Sequence, residues 1–179
     1  MNGARRFAIG GAVVVLCGLG IFGVSRLHVP PPVDVGSAAP DFEARTIEAP
    51  VTTKHLQDFP GPAVLLNVWA TWCIPCQREM PSMERLYGEF GRRGLRVVAV
   101  SIDDGGAQAS IREFAGEFGL TFEILHDPSG TIMRTYQMVG VPQSFLIDSD
   151  GIIRKKTFET DWYSDENRAL VAQLLGARN

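Results

Sequence analysis

The sequence predicts an α/β domain in which helices flank a mixed central sheet, and three observations carry that expectation. Two nearly continuous apolar runs, Ala63-Val64-Leu65-Leu66-Asn67-Val68-Trp69 and Leu95-Arg96-Val97-Val98-Ala99-Val100-Ser101-Ile102, read as strands covered on both faces. Each is followed by a stretch of helical period. Later, Asp148-Ser149-Asp150-Gly151 separates two apolar runs, a strong signal for an antiparallel hairpin. Strand–helix alternation that ends in a hairpin and a last helix gives a mixed sheet.

Taken in order, Ala39-Pro40 opens the domain and Asp41-Phe42-Glu43-Ala44-Arg45 alternates like a strand. Val51-Thr52-Thr53 can pair with it as an N-terminal β-hairpin extension. After the first buried run, residues 74–92 read as a helix, with Met80, Met83, Leu86, Tyr87 and Phe90 at helical spacing. That stripe is core packing. Gly105-Gly106 breaks the chain, and residues 107–118 form a second helix whose apolar face is Ile111, Phe114, Ala115 and Phe118. Residues 121–125 make a third strand, Asp127-Pro128-Ser129-Gly130 a turn, and residues 131–138 a short helix. Residues 144–147 and 152–158 form the hairpin, and residues 165–175 an amphipathic closing helix.

The N-terminus is of another kind. Arg5 and Arg6 precede residues 7–24, an uncharged apolar run of 18 residues, at the short end of a membrane-spanning helix. The arginines favour a cytoplasmic N-terminus, residues 1–6, with the domain outside. Ser25-Arg26-Leu27-His28 offers no small-residue cleavage pattern, so an uncleaved anchor is expected rather than a removed signal peptide. Cys17 is then a small apolar residue of the span. Residues 25–37 hold Pro30-Pro31-Pro32, a semi-rigid spacer, and the domain occupies residues 38–179.

The chain of 179 residues is 45% hydrophobic and 21% charged with net charge −3, ordinary globular composition. Its basic clusters, Arg92-Arg93 and Arg154-Lys155-Lys156, are too short for the broad basic stripe that nucleic acid requires, so they read as solvated faces. Asp103-Asp104 and Asp148-Ser149-Asp150 lack the other ligands of a calcium loop and read as turn chemistry.

Cys73 and Cys76 are the only cysteines outside the apolar N-terminal run, and three roles compete for them. As a staple they close a loop of four residues, which stabilises by about 2 kcal/mol against about 3 kcal/mol for fifteen residues. A structural zinc ion needs four ligands, and beyond the pair only His28, His55, His126 and Cys17 are on offer, with no second C-x-x-C. The redox role has positive support. A buried strand leads into Trp72-Cys73 and a helix begins there, where free N–H groups and the helix dipole stabilise a thiolate. Cys73, the first to emerge, is the expected exposed attacker, and Cys76, one turn in, the buried resolving thiol. Pro75 stiffens the loop between them. No cofactor beyond this Cys73–Cys76 pair is called for.

"WCIPC" after an apolar strand, with "GVPQSFLID" further on, resembles the thioredoxin fold. "NVWATWCIPCQREMP" together with "APDF" is similar to the TlpA/ResA group of membrane-anchored thiol–disulfide oxidoreductases, and "ETDWYSDE" resembles the TlpA branch. The likeness covers nearly all of residues 38–179. It implies that Val141-Pro142 is the family's cis-proline element facing the sulfurs, with the Val141 backbone open to a bound substrate segment. Trp72, Ile74 and Pro75 then belong to the substrate-facing surface. It implies that Glu79, three positions after the second cysteine, lies near the thiols and influences their protonation, and that Pro81 kinks the helix. Many thioredoxins carry a buried aspartate where this chain has Asn67. Asparagine cannot relay a proton, which leaves Glu79 as the candidate carboxylate for Cys76. Peroxiredoxins share the "APDF" opening, but their nucleophile follows a threonine by three positions, and here Ala70 stands there.

The resemblance implies a reductant at the bacterial inner membrane, single-pass, with its catalytic domain in the periplasm or outside the cell. Its partners would be client proteins with disulfides, either apocytochrome c or copper-site assembly proteins of cytochrome oxidase. A membrane thiol carrier of the DsbD/CcdA kind would supply electrons. Two other roles fit the same residues: an oxidase that donates disulfides, and a Cu(I) chaperone using Cys73 and Cys76 as soft ligands with Met80 and Met83 nearby.

Overall fold

The computed structural model describes residues 31–158 and 161–176; the expected anchor, residues 7–24, and Cys17 lie outside the described residues. Seven strands form one sheet in the order β2-β1-β5-β4-β3-β6-β7. They are β1 (Ala44–Thr46), β2 (Thr53–Lys54), β3 (Ala63–Trp69), β4 (Leu95–Ser101), β5 (Glu123–His126), β6 (Gln143–Asp148) and β7 (Ile153–Thr157). The helices are α1 (Ile74–Phe90), α2 (Gln108–Glu117), α3 (Thr131–Thr135) and α4 (Asp165–Gly176). β3, β4 and β5 run parallel, while β6 and β7 on one side and β1 and β2 on the other run antiparallel to their neighbours. The sheet is mixed, as its sequence pattern requires.

β3 is an interior strand, paired with β4 on one edge and β6 on the other, and all seven of its residues are buried. Side chains alternate across a strand, so Leu65 and Trp69 meet the core shared with α1, α2 and α4, while Val64, Leu66 and Val68 meet the core shared with α3. The same alternation turns Asn67 toward α1. The apolar face of α1 is Cys76, Met80, Met83, Leu86 and Phe90, all buried at helical spacing. Trp162, in the segment before α4, is fully buried in that layer, and its backbone N–H donates to Ser82 Oγ on α1 at 2.9 Å. Arg168 on α4 pairs with Glu89 on α1 at 2.8 Å and is the main reason the Glu89 carboxyl lies below its ordinary range.

In the second layer, the Tyr136 hydroxyl donates to the Pro40 carbonyl at 2.6 Å. Burial, helped by the nearby Asp41 charge, pushes its pKa above the ordinary phenol value, so it stays a donor.

Four details differ from the sequence reading. The hairpin forms with Arg45 opposite Thr53, slightly later than the run 41–45, because Phe42 serves as a core anchor at 4% exposure. The compact unit begins at Pro32, inside the expected spacer. Val33 is buried, Lys156 Nζ donates to its carbonyl at 2.7 Å, and Gly36 and Ser37 bond to Ile153. α3 stops at Thr135, short of the expected Met138; Gln137 takes a positive φ of 51° as the chain turns toward residues 139–142. Finally, the basic run of β7 is engaged internally: Arg154 pairs with Asp148, and Lys155 with Glu166 and Asn167. Burial works to raise the Asp148 pKa, but bonds from the Ile152 N–H, Arg154 and the Asp150 N–H outweigh it and hold the carboxyl low.

Candidate active site

β3 ends at Trp69, and a tight turn carries the chain into α1. Cys73 is the helix N-cap: its N–H donates to the Ala70 carbonyl at 3.2 Å, and its own carbonyl accepts from Gln77 N–H at 3.1 Å. Pro75 lies in the first turn of α1, where a missing N–H costs nothing. Cys73 and Cys76 form a disulfide with Cα atoms 5.2 Å apart. Cys73 Sγ also accepts the Cys76 backbone N–H at 3.2 Å, the contact that stabilises a thiolate at this position.

The two sulfurs differ in access. Cys76 is fully buried, whereas Cys73 retains 4% of its surface, so it is the outer of the two but far from the open position expected. Its neighbours Trp72 and Ile74 are 65% and 58% exposed, two large apolar side chains flanking a covered sulfur. The Val141–Pro142 peptide is cis. Val141 packs against the core cluster that contains both cysteines, and Pro142 is buried. Val139, which the sequence reading passed over, is 88% exposed in the same segment.

Beneath the disulfide, Glu79 is 1% exposed on the second turn of α1. Its Oε1 accepts Asn67 Nδ2 at 2.6 Å, and the same amide donates to Ser144 Oγ at 2.9 Å. Asn67 and Ser144 are register partners on β3 and β6. Asn67 thus fills the aspartate position with a donor that orients the carboxyl of α1. Ser144 lies inside the GVPQSFLID stretch, but only the β3–β6 register reveals its contact with Asn67. Met80 and Met83 are fully buried in the core. No group of three metal-ligating side chains is gathered among the described residues. His126 is buried on β5, its Nε2 2.8 Å from the Asp103 carbonyl oxygen.

This arrangement can exchange a disulfide through one sulfur at the surface edge and one sealed beneath it. Comparison with known proteins agrees. The profile of the AhpC/TSA family matches residues 35–156. The chain is 41% identical over 123 residues to the thiol-disulfide oxidoreductase ResA of Oceanobacillus iheyensis, spanning 68% of this chain and 63% of that one. It is 40% identical to ResA of Geobacillus thermodenitrificans, spanning 69% of this chain and 68% of that one. Among solved structures, a thiol:disulfide interchange protein DsbE from Chlorobium tepidum superposes with TM-score 0.65 at 30% identity, covering 80% of this chain and 96% of that one. The chain therefore belongs to the AhpC/TSA family, and within it to the ResA-like thiol–disulfide oxidoreductases, with a thioredoxin-like fold and Cys73–Cys76 as its C-x-x-C disulfide.

Proposed function

We propose that this protein is an extracytoplasmic reductant of client-protein disulfides, held to the membrane by residues 7–24. The observation that carries the reading is the asymmetry of the pair: Cys73 at the edge beside exposed Trp72 and Ile74, Cys76 wholly sealed. In the reduced protein the Cys73 thiolate attacks one sulfur of a client disulfide, and the client's other sulfur leaves as a thiolate and takes a proton. Cys76, deprotonated, then attacks Cys73 Sγ. The client's second thiol departs, and two electrons have moved from the domain to the client. Trp72, Ile74 and Pro75 form the apolar rim that receives the client, and the Val141 backbone beside Pro142 pairs with its extended segment. Glu79 takes the Cys76 proton. The clients are apocytochrome c or copper-site assembly proteins, and a thiol carrier of the DsbD/CcdA kind returns the electrons. These assignments rest on the family likeness.

Trapping tests the whole reading. Cys76→Ser stops the second step, so it is expected to accumulate mixed disulfides through Cys73 in cells, seen as reductant-sensitive adducts on non-reducing gels. Recovery of no adduct would count against a reductase.

A separate experiment isolates Glu79. Where Glu79 is ionised its charge disfavours a nearby thiolate, so Glu79→Gln is expected to lower the midpoint of the thiol titration by on the order of one pH unit. Resolution of a preformed mixed disulfide should slow at the same time, because the proton acceptor is gone. An unchanged pH–reactivity profile would reduce Glu79 to a packing role.

A further inference from the structure

Thr71 lies on a loop two residues before Cys73, yet it is held from two sides, by the sheet and by α1. Asp103, just after β4, is 4% exposed, and both its carboxylate oxygens are directed at the turn. Oδ2 accepts the Thr71 backbone N–H at 3.0 Å and Oδ1 accepts the Thr71 hydroxyl at 2.7 Å. The Ser101 hydroxyl donates to Oδ2 at 2.7 Å, and Ser101 Oγ accepts the Asp103 N–H at 3.1 Å. Behind the carboxylate, His126 Nε2 lies 2.8 Å from the Asp103 carbonyl oxygen. A carbonyl only accepts, so Nε2 carries the hydrogen. From the other side, Gln77 Nε2 on α1 donates to the Thr71 carbonyl at 3.1 Å. The turn is thereby clamped between β4, β5 and α1.

We propose that Asp103, acting through Thr71, is a positioning residue for the Cys73 thiolate: it fixes the turn so that the sulfur stays over the Cys76 N–H. This rests on Cys73 being the nucleophile. A carboxylate withdrawn from water is costly unless its lone pairs are satisfied, and here two of the three satisfying donors belong to the active-site turn, the third being the Ser101 hydroxyl. The thiolate is stabilised by the Cys76 N–H, an interaction that weakens steeply as its alignment is lost. A clamp on the turn therefore acts on sulfur reactivity without touching the sulfur. Other ionisable side chains lie close in the chain or are joined to the bracket: buried Glu79 and exposed Arg78 on α1, exposed Asp104 beside Asp103, and buried His126 on β5. Residues 139–143 bring none.

The test is the pH profile of Cys73 alkylation by iodoacetamide in the reduced full-length protein, together with the potential of the pair in glutathione buffers. Thr71→Val and Asp103→Ala are expected to raise the alkylation midpoint by roughly 0.5–1 pH unit, a loss of roughly three- to tenfold in thiolate below the midpoint. The disulfide should become correspondingly harder to reduce. Thr71→Ser keeps the hydroxyl and Asp103→Asn keeps an acceptor for the Thr71 N–H, so both should retain the wild-type midpoint. Folded Thr71→Val with an unmoved midpoint would overturn the proposal, and it carries the test even where Asp103→Ala does not fold. A downward shift in Asp103→Asn would overturn it as well, since Asp103 would then be acting by its charge. Alkylation needs no client. A wild-type protein that alkylates as expected but never reduces a client disulfide would fail the proposed function and leave this proposal standing.

Discussion

Cys73→Ser is expected to bring disulfide reduction down to the uncatalysed background, measured as insulin-type turnover with an external thiol reductant. Nothing else in the site can take over. Cys76 is fully buried behind Cys73 and cannot meet a disulfide carried on another protein. A serine hydroxyl at the N-cap is not ionised near neutral pH, whereas a thiol there is driven toward its reactive form. Cys76→Ser should lose multiple turnover equally but keep the first attack, so the two variants separate the steps. A Cys17→Ser background keeps the third cysteine out of the measurement. Appreciable turnover by Cys73→Ser would mean that the attacking sulfur has been assigned to the wrong residue.

The second large effect concerns stability. Trp69 ends β3, is fully buried, and lies with its ring centroid 4.5 Å from that of Phe114 on α2. Its carbonyl accepts the Ile102 N–H at 2.9 Å, at the point where β3 and β4 release their loops. Trp69→Ala removes a large aromatic side chain between sheet and helix and is expected to cost about 3–5 kcal/mol. Urea unfolding of the oxidised protein, with wild type and variant compared at equal m-value, measures it. Trp69→Phe should cost much less. It keeps most of the ring volume and discards an indole N–H that is buried with no hydrogen-bond partner among the described residues. Equal losses in the two variants would show that volume is not what Trp69 contributes.

What the sequence made readable was whatever its local pattern encodes. The run 63–69 is apolar at every position but Asn67, and it is an interior strand paired on both edges. Asp148-Ser149-Asp150-Gly151 announced the β6–β7 hairpin, and the C-x-x-C pair announced its chemistry. The supports of the site were hidden, because their meaning lies in contacts across the chain. Ser144 meets Asn67 from 77 positions away, and Asp103 meets Thr71 from 32. Read locally, Asp103-Asp104 is only a turn. Composition also misplaced the start of the domain: proline at positions 30–32 signals a spacer, but one valine past them, Val33, is enough to bring the chain onto the core. α3 was overextended because periodicity does not register a helix that must stop for the turn ahead of Pro142.

The segment along β7 has a bearing on solubility. An open sheet ends in strands whose unused N–H and C=O groups invite another chain to continue the ladder. Here Gly36 and Ser37 exchange backbone bonds with Ile153, and Ala38 bridges to Ile152, closing the start of that border. At the opposite border β2 is only two residues long, too short to template anything. In its proposed work the protein meets partners that are still incompletely folded and rich in extended backbone. A sheet blunted at both margins gives them little to add a strand to, so the encounter can end with the release of sulfur rather than in aggregation.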